Sequence, residues 1–449
     1  MTAPRHSRLA WLACALLACT GVDARESRKN PSTQTRSATA KAAEVDAVTA
    51  AFTALNAIRK EADRQDNPLG AWTIYLAARE RSTDPLRDFL TQTLAALEAE
   101  LGLYDEALRD YPPGKPITIG DTAAFPEPQD YTAVNAVDAI TELARDRRLV
   151  FVNEVHHDPH TRELTLALLP RLRALGYTHF AAETVDEKDR DLATRGYPVQ
   201  ASGYYSREPL AGEILRRALQ LGFVVVPYES TQETSGRDAR EHEQAENIYR
   251  RVFEKSPNAR LLVHAGYAHV HKAKGHLWDT APLAMQLAAR LKIAPLCIDQ
   301  TLLRPNRSES EYGAYPLLID TYSPHEPIVL RAKKDARVWS LEPTFYDVSV
   351  VLPRSEPVDG RPGWLDLHGA RRRTPVDDGF CAETRPCLIE ARRAAESADA
   401  VPTDRWLRLA GSPMAPLYLF PGRYHLRASD AHGKLVGERD LTVPDITAP

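Results

Sequence analysis

Two short stretches concentrate the residues that could do chemistry. The first, Leu149-Val150-Phe151-Val152-Asn153-Glu154-Val155-His156-His157-Asp158-Pro159-His160, runs from four apolar residues into a carboxylate and three imidazoles. The second, Ala259 to His271, is again apolar and then presents His264, Gly266-Tyr267-Ala268-His269 and His271. Of the 14 His in the chain, seven fall within 156–160 and 264–276. Two more apolar runs end in acids, Ala181-Ala182-Glu183-Thr184 and Val226-Pro227-Tyr228-Glu229. A set of carboxylates and imidazoles suits a divalent metal (Mn, Co, Zn or Fe) that acidifies a bound water. It equally suits proton transfer by the side chains themselves. A buried carboxylate is costly without a donor or cation nearby, so Arg162, and further on Arg237 or Arg240, are candidate counter-charges.

These residues need a scaffold that gathers strand ends. The run Leu149–Val152 has no polar residue on either face, which marks a central strand of a helix-covered parallel sheet. Asp158-Pro159 then opens a helix, with Asp as cap and Pro at its first position, and Gly176 closes it. Thr178 to Glu183, Phe223 to Glu229, 259–264 and Ala294 to Ile298 read as further strands. Helical stretches near Leu210 to Leu221, Asp238 to Glu254 and 280–292 separate them. Strands alternating with helices predict an α/β fold, a parallel sheet with flanking helices, over 128–325. Ligands in such sheets bind beyond the carboxyl ends of the strands, where Glu154, His156, His157, Glu183, Glu229, His264 and His269 stand. The expectation is therefore one shared site. A Gly/Tyr/Pro loop at 190–210, carrying Tyr197, Tyr204 and Tyr205, reads as its lid.

The flanks differ in texture. Residues 45–110 carry apolar residues at three- and four-residue spacing and predict a helical segment packed against the main domain, broken at Asn67-Pro68-Leu69-Gly70. Tyr111-Pro112-Pro113-Gly114-Lys115-Pro116 marks a boundary. Residues 326–449 show short strands separated by Asp359-Gly360, Pro421-Gly422 and His432-Gly433, and predict a β-rich accessory domain such as a small sandwich. Cys381 and Cys387 either pair locally or stay free, and Cys297 reads as an inert core residue. At the start, Arg5 and Arg8 precede an apolar run from Leu9 to Ala18, a signal peptide over 1–24. Leu16-Leu17-Ala18-Cys19 would lipidate Cys19, whereas Val22-Asp23-Ala24 would release a soluble protein. Residues 25–44 read as a disordered tether. Either way the protein is expected in the bacterial cell envelope, touching membrane only through an N-terminal lipid anchor.

Bulk properties exclude several classes. A net charge of −4 and a pI near 6.4 leave no basic field for nucleic acid. There is no G-x-S-x-G, no phosphate loop and no H-E-x-x-H. The partner expected is a small-molecule or peptide substrate.

Asn153-Glu154-Val155-His156 followed by a helix, Ala182-Glu183 closing the next strand, and Gly266-Tyr267-Ala268-His269 together resemble a superfamily. It comprises erythromycin esterases, haem-binding ChaN proteins and the Tiki/TraB/PrgY proteins, marked by two G-x-x-H motifs with a Glu between them. The resemblance covers about 140 to 325. It implies an α/β fold with the motif residues at one site, with His156 and His269 as the motif histidines and Glu154 and Glu183 as the paired carboxylates. Tiki members resemble metal-dependent peptidases, and the esterases hydrolyse a macrolide lactone. The chain departs from the pattern where Asn153 replaces the first glycine. The esterase spacing would select His157 in place of His156.

Three readings follow. The leading one is an exported metal-dependent hydrolase of an ester or amide bond. In it His156, His269, Glu154 and Glu183 hold the metal, and Glu154, Glu183, His157 and Arg162 are catalytic. The second is a haem- or iron-binding envelope protein in which Tyr204 and Tyr205 contact the haem. The third is a degenerate, non-catalytic envelope protein.

Overall fold

In the computed structural model, residues 31–65, 67–112, 123–230, 236–277, 279–305 and 313–445 are described, with side chains from Asp46 onward. The expectations for 1–24 and Cys19 lie outside them. Helix α1 (Pro31–Ala62) begins inside the stretch read as a tether, so the disordered reading does not hold from Pro31 onward. Helices α2 (Pro68–Arg81), α3 (Leu86–Glu100) and α4 (Tyr104–Asp110) follow. The break between α1 and α2 is a cap: Asn67 Oδ1 accepts the Gly70 N–H at 2.6 Å, with Pro68 in the first turn.

The α/β part contains β1 (Tyr131–Asn135), α5 (Ala136–Leu143), β2 (Leu149–Glu154), α6 (Glu163–Ala174) and β3 (His179–Ala182). It continues with α7 (Pro209–Gln220), β4 (Val224–Val226), α8 (Arg237–Ile248), β5 (Leu261–Gly266), α9 (Leu283–Leu291) and β6 (Leu296–Asp299). After α10 (Ala314–Tyr322) come β7 (Ile328–Ala332) and β8 (Val348–Ser349). The central sheet has six strands in the order β4-β3-β5-β2-β6-β8, all parallel. Alternate residues of β2 feed two cores. Val150 and Val152 pack with α5, α6 and α7; Leu149 and Phe151 pack with α8 and α9. Both faces of the middle strands are therefore covered, as their unbroken apolar runs require.

One boundary shifts. The sixth strand, β8, lies beyond 325, and β7 pairs antiparallel with β1. The α/β part thus extends past the expected limit, because the chain returns to the sheet before leaving it. The remaining strands are β9 (Pro357–Val358), β10 (Arg361–Pro362), β11 (Arg372–Thr374), β12 (Cys387–Arg393), β13 (Asp404–Arg408), β14 (Leu417–Leu419), β15 (Gly422–Ser429) and β16 (Leu435–Val443). Four of them form an antiparallel sheet, β13-β12-β15-β16. Cys381 and Cys387 are disulfide-bonded beside it. One face of this sheet receives the N-terminal helices: Leu388 and Leu407 share a core with Leu55, Leu69, Leu90 and Leu94. The other face packs on β14, which pairs with β11: Ile389, Ala391 and Leu426 share a core with Leu417 and Leu419, so the sheet lies between the helices and a two-stranded second sheet. The helical segment packs chiefly on this sheet, and the two ends of the chain form one unit.

Candidate active site

Three adjacent central strands, β3, β5 and β2, deliver the chemistry. Their registers set Glu154 beside Gly266 and Ala182 beside His264. The Glu183 N–H continues the ladder to the His264 carbonyl at 3.0 Å. The expected convergence is present: Glu154, His156, Glu183, His264 and His269 lie together, all buried.

Glu154 is the anchor. Its Oε2 accepts from Arg162 Nε at 2.6 Å and lies 2.8 Å from His264 Nε2. Its Oε1 lies 2.7 Å from His156 Nδ1 and 3.1 Å from Arg162 Nη2. Burial alone would push this carboxyl up, but Arg162, His264 and His156 outweigh it and hold it well below the usual carboxylate range. Arg162 reaches it from a 3-10 turn, Pro159–Arg162, that precedes α6, where the sequence had suggested α-helix from Pro159. Its other arm donates to Glu208 at 2.9 Å, and Glu208 also caps α7 through the Ala211 N–H.

Glu183 is the meeting point. Its Oε2 accepts the Gly266 N–H at 2.6 Å and stands 3.8 Å from His156 Nε2. Its Oε1 accepts from Arg240 at 3.2 Å and stands 3.7 Å from His269 Nε2. Burial raises this carboxyl; His269, His156, Arg240 and the Gly266 N–H together pull it below its ordinary value. His269 in turn holds Glu241 at 2.6 Å through Nδ1. Burial lowers its basicity, but Glu241 and Glu183 outweigh both burial and the nearby Arg240, so the imidazole titrates above its ordinary value. Arg240 also grips Glu229 through two nitrogens at 3.0 and 3.1 Å.

Gly266 has an ordinary negative φ of −69° and is required for space. A Cβ there would sit 2.4 Å from the His156 ring and 3.0 Å from Glu183 Oε2. The next residue, Tyr267, has a φ of 42°, and Thr184, next after Glu183, has a φ of 62°. Left-handed backbone at these bulky residues costs roughly 1–2 kcal/mol each. Thr184 gains from it, because its Oγ1 accepts the Tyr205 N–H at 3.0 Å. Asn153, where the family pattern has glycine, is not among the positive-φ residues. It lies extended in β2 and ties that strand to β6, donating to Asp299 at 2.9 Å and accepting from Gln300 at 2.8 Å.

His157 does not join this cluster. Its ring stacks on Tyr111 with centroids 3.5 Å apart, and burial, with Arg304 adding to it, keeps it well below its ordinary pKa. His156 is the histidine beside both glutamates, its ring stacked on Tyr205 at 3.7 Å and edge-on to Tyr267 at 5.3 Å. Tyr204 turns away toward Arg59 of α1, whose guanidinium is 5.8 Å from its ring centre. The Tyr204 and Tyr205 expectation for haem therefore divides: one ring covers His156, the other packs against the helices. No haem face is open between His156 and Tyr205, so the group does not fit there.

The four nominated metal ligands are likewise committed elsewhere. Both Glu154 oxygens serve Arg162 and the two histidines. Arg240 Nη1 lies 3.3 Å from His269 Nε2, so a guanidinium already occupies the cationic position. Among the described residues no three His, Cys, Asp or Glu are arranged to hold a metal ion. The residues as placed do not fit one.

Sequence reasoning missed Glu241, Gln244, Tyr111 and Glu208. The first two had a signal. Arg240, Glu241, Gln244, Ala245 and Ile248 follow helical spacing, and this is the buried face of α8. A polar stripe at that period marks a face turned toward charge.

No family model matches the chain, and no curated protein matches it. Among solved structures it is similar to the type III effector HopBA1, with 17% identity, 31% of this chain and 75% of that one covered, and a TM-score of 0.25. It is similar to RRSP, a MARTX toxin effector domain from Vibrio vulnificus CMCP6, at 19% identity, covering 36% of each chain, TM-score 0.25. A structure described as bacterial protein toxins shares 14% identity over 51% of this chain and 52% of that one, TM-score 0.27. Likeness at these TM-scores says nothing about activity.

Proposed function

We propose that the protein is a hydrolase of ester or amide bonds working by general acid–base catalysis between two histidine–carboxylate pairs. The observation that carries this reading is the presentation of His156 and His269 to opposite oxygens of Glu183, at 3.8 and 3.7 Å, each fixed from behind by its own glutamate. His156 gives its Nδ1–H to Glu154, which leaves Nε2 to take a proton from an attacking water. The water oxygen bonds to the carbonyl carbon, and Arg240 faces the oxyanion that forms. His269, whose basicity Glu241 and Glu183 raise, is the acid of the pair; it gives its Nε2 proton to the leaving oxygen or nitrogen as the carbonyl–heteroatom bond breaks. Arg240 beside that nitrogen eases the release. Glu183 stabilises the positive charge as it moves from His269 to His156. Two titratable groups with different surroundings thus divide the base and acid roles. The resemblance to esterases and peptidases supports the same bond class.

The test uses the purified full chain, treated with chelator, against a panel of chromogenic esters and peptide amides. Hydrolysis should persist after chelation and fall about 10²–10⁴-fold in His156→Asn and in His269→Asn. Unchanged rates in both variants, or no hydrolysis of any panel member, would overturn the reading. Activity regained only with added Mn, Co, Zn or Fe would favour the metal mechanism.

A further inference from the structure

Tyr205 lies flat on His156, and the chain on both sides of it is held by one segment of the C-terminal region. Before Tyr205, the loop expected to be a lid is fastened. Val199 pairs with Ala400 in a β-bridge. The Gln200 N–H donates to the Asp399 carbonyl and the Val401 N–H to the Pro198 carbonyl, each at 3.0 Å. The Tyr197 hydroxyl accepts the Ser397 N–H at 3.1 Å and donates to the Ser397 Oγ at 3.3 Å. After Tyr205, helix α7 is fastened to the same segment. The fully buried Arg216 donates to both oxygens of Glu396, at 2.8 and 2.6 Å, and to the Val401 carbonyl. Arg393 donates to Glu213 of α7 at 3.0 Å. Gly212 lets the segment approach, since a Cβ there would lie 2.8 Å from Val401 Cγ1. Within the loop, Val185 bridges Gly203 and Thr184 takes the Tyr205 N–H, so the fastened ends leave Tyr205 little freedom.

We infer that segment 396–401 is a positioning element of the active site, setting Tyr205 against His156 from outside the α/β domain. A loop free to open needs few bonds at its base; this one has two backbone bonds and a tyrosine hydroxyl contact to the C-terminal segment, and a buried ion pair behind it. A buried pair of this kind is weak evidence for added stability, but removing one partner leaves an uncompensated buried charge. The C-terminal region is thereby part of the catalytic unit, and the ring stack is the quantity it controls.

The experiment reads that stack directly. In full-length protein carrying labelled histidine, the His156 Cε1–H resonance, assigned by its loss in His156→Asn, should be displaced upfield by the tyrosine ring. Tyr205→Leu should abolish the displacement and gives the reference position. Glu396→Gln and Gly212→Ala should move the signal most of the way to that reference while thermal unfolding stays cooperative. The milder Ser397→Ala should move it part of the way, which keeps a readout should a core variant fail to fold. A His156 signal unmoved in the folded Glu396→Gln and Ser397→Ala proteins would overturn the inference. A lowered kcat at near-constant KM in the same variants is the catalytic counterpart and rests on the hydrolase reading. The resonance does not, so the two can fail separately.

Discussion

Arg162 and Arg405 are both fully buried and each holds two glutamates, yet they serve different ends. Arg405 donates to Glu390 at 2.8 Å and to Glu100 at 3.1 Å, joining β13 to β12 and to α3. The charges close on one another and go no further than Arg392. Arg162 joins the turn before α6 to β2 and α7 in the same way, but its partner Glu154 passes the interaction on to His156 and His264. In the accessory unit, buried ion pairs act as fasteners. In the sheet they prop up His264, whose other nitrogen meets Thr165 Oγ1 at 2.9 Å, and His156, whose outer nitrogen is left for other work. One chemistry thus yields rigidity in one place and a poised group in the other, according to what the carboxylate touches next.

The largest effect should come from cutting each fastener. Arg162→Met leaves Glu154 and Glu208 without their cation, Arg405→Met leaves Glu100 without one and Glu390 with Arg392 alone, and each should cost about 3–5 kcal/mol in denaturant unfolding. Only Arg162→Met should also shift the histidine signals of the site in whatever protein still folds. Equal disturbance of those signals by both would erase the distinction drawn above.

Glu183→Gln sharpens it. Arg240 retains Glu229, so stability should change by under about 1 kcal/mol, or rise, while hydrolysis falls on the order of 10²-fold. A loss of several kcal/mol would mean that Glu183 is a fastener too.

Acid should also separate the regions. His157 and His271 are depressed, the latter to about 3, by burial and by neighbouring charge, from an unfolded value of 6.5. Their contribution is complete above that value and is lost as pH falls through it. Glu390 is lowered from 4.5, burial being outweighed by Arg392 and Arg405, so its contribution fades only below about that pH. His269 is raised, so its part is present below 6.5 and lost as pH rises through its folded value. Amide exchange followed against pH should therefore loosen β2 and β5 near pH 6, and β12 and β13 only nearer pH 4. Simultaneous loosening would count against it. The smallest effect on the site is expected from Cys381→Ala with Cys387→Ala. Opening so short a loop should cost about 2 kcal/mol and leave the site unmoved, as melting and the His156 signal would show.

The sheet was legible because its middle strands are buried on both faces and so read as apolar runs ending abruptly in Glu154, Glu183 and His264. Those endings placed the carboxylates and imidazoles correctly at one edge. Legibility failed where tertiary contact decides. β8 is two residues long and carries no pattern of its own, so the domain limit fell too early. His156 and His157 differ only in which way each ring turns, and that is set by Tyr205 and Tyr111 from distant parts of the chain. Arg240 was visible only as one of three candidate counter-charges, with Arg162 and Arg237. Its grip on Glu229, Glu183 and the His269 side depends on how α8 is rotated.

Gly266 carries a consequence for comparing sequences. Its missing side chain makes the volume into which the His156 ring fits, and the torsion there is one any amino acid can adopt. Even a methyl group would evict the imidazole while leaving every formal charge in place. A related chain with a larger residue at this position must seat its histidine somewhere else. The identity of this single position therefore sorts relatives that share the arrangement from those that share only the sheet.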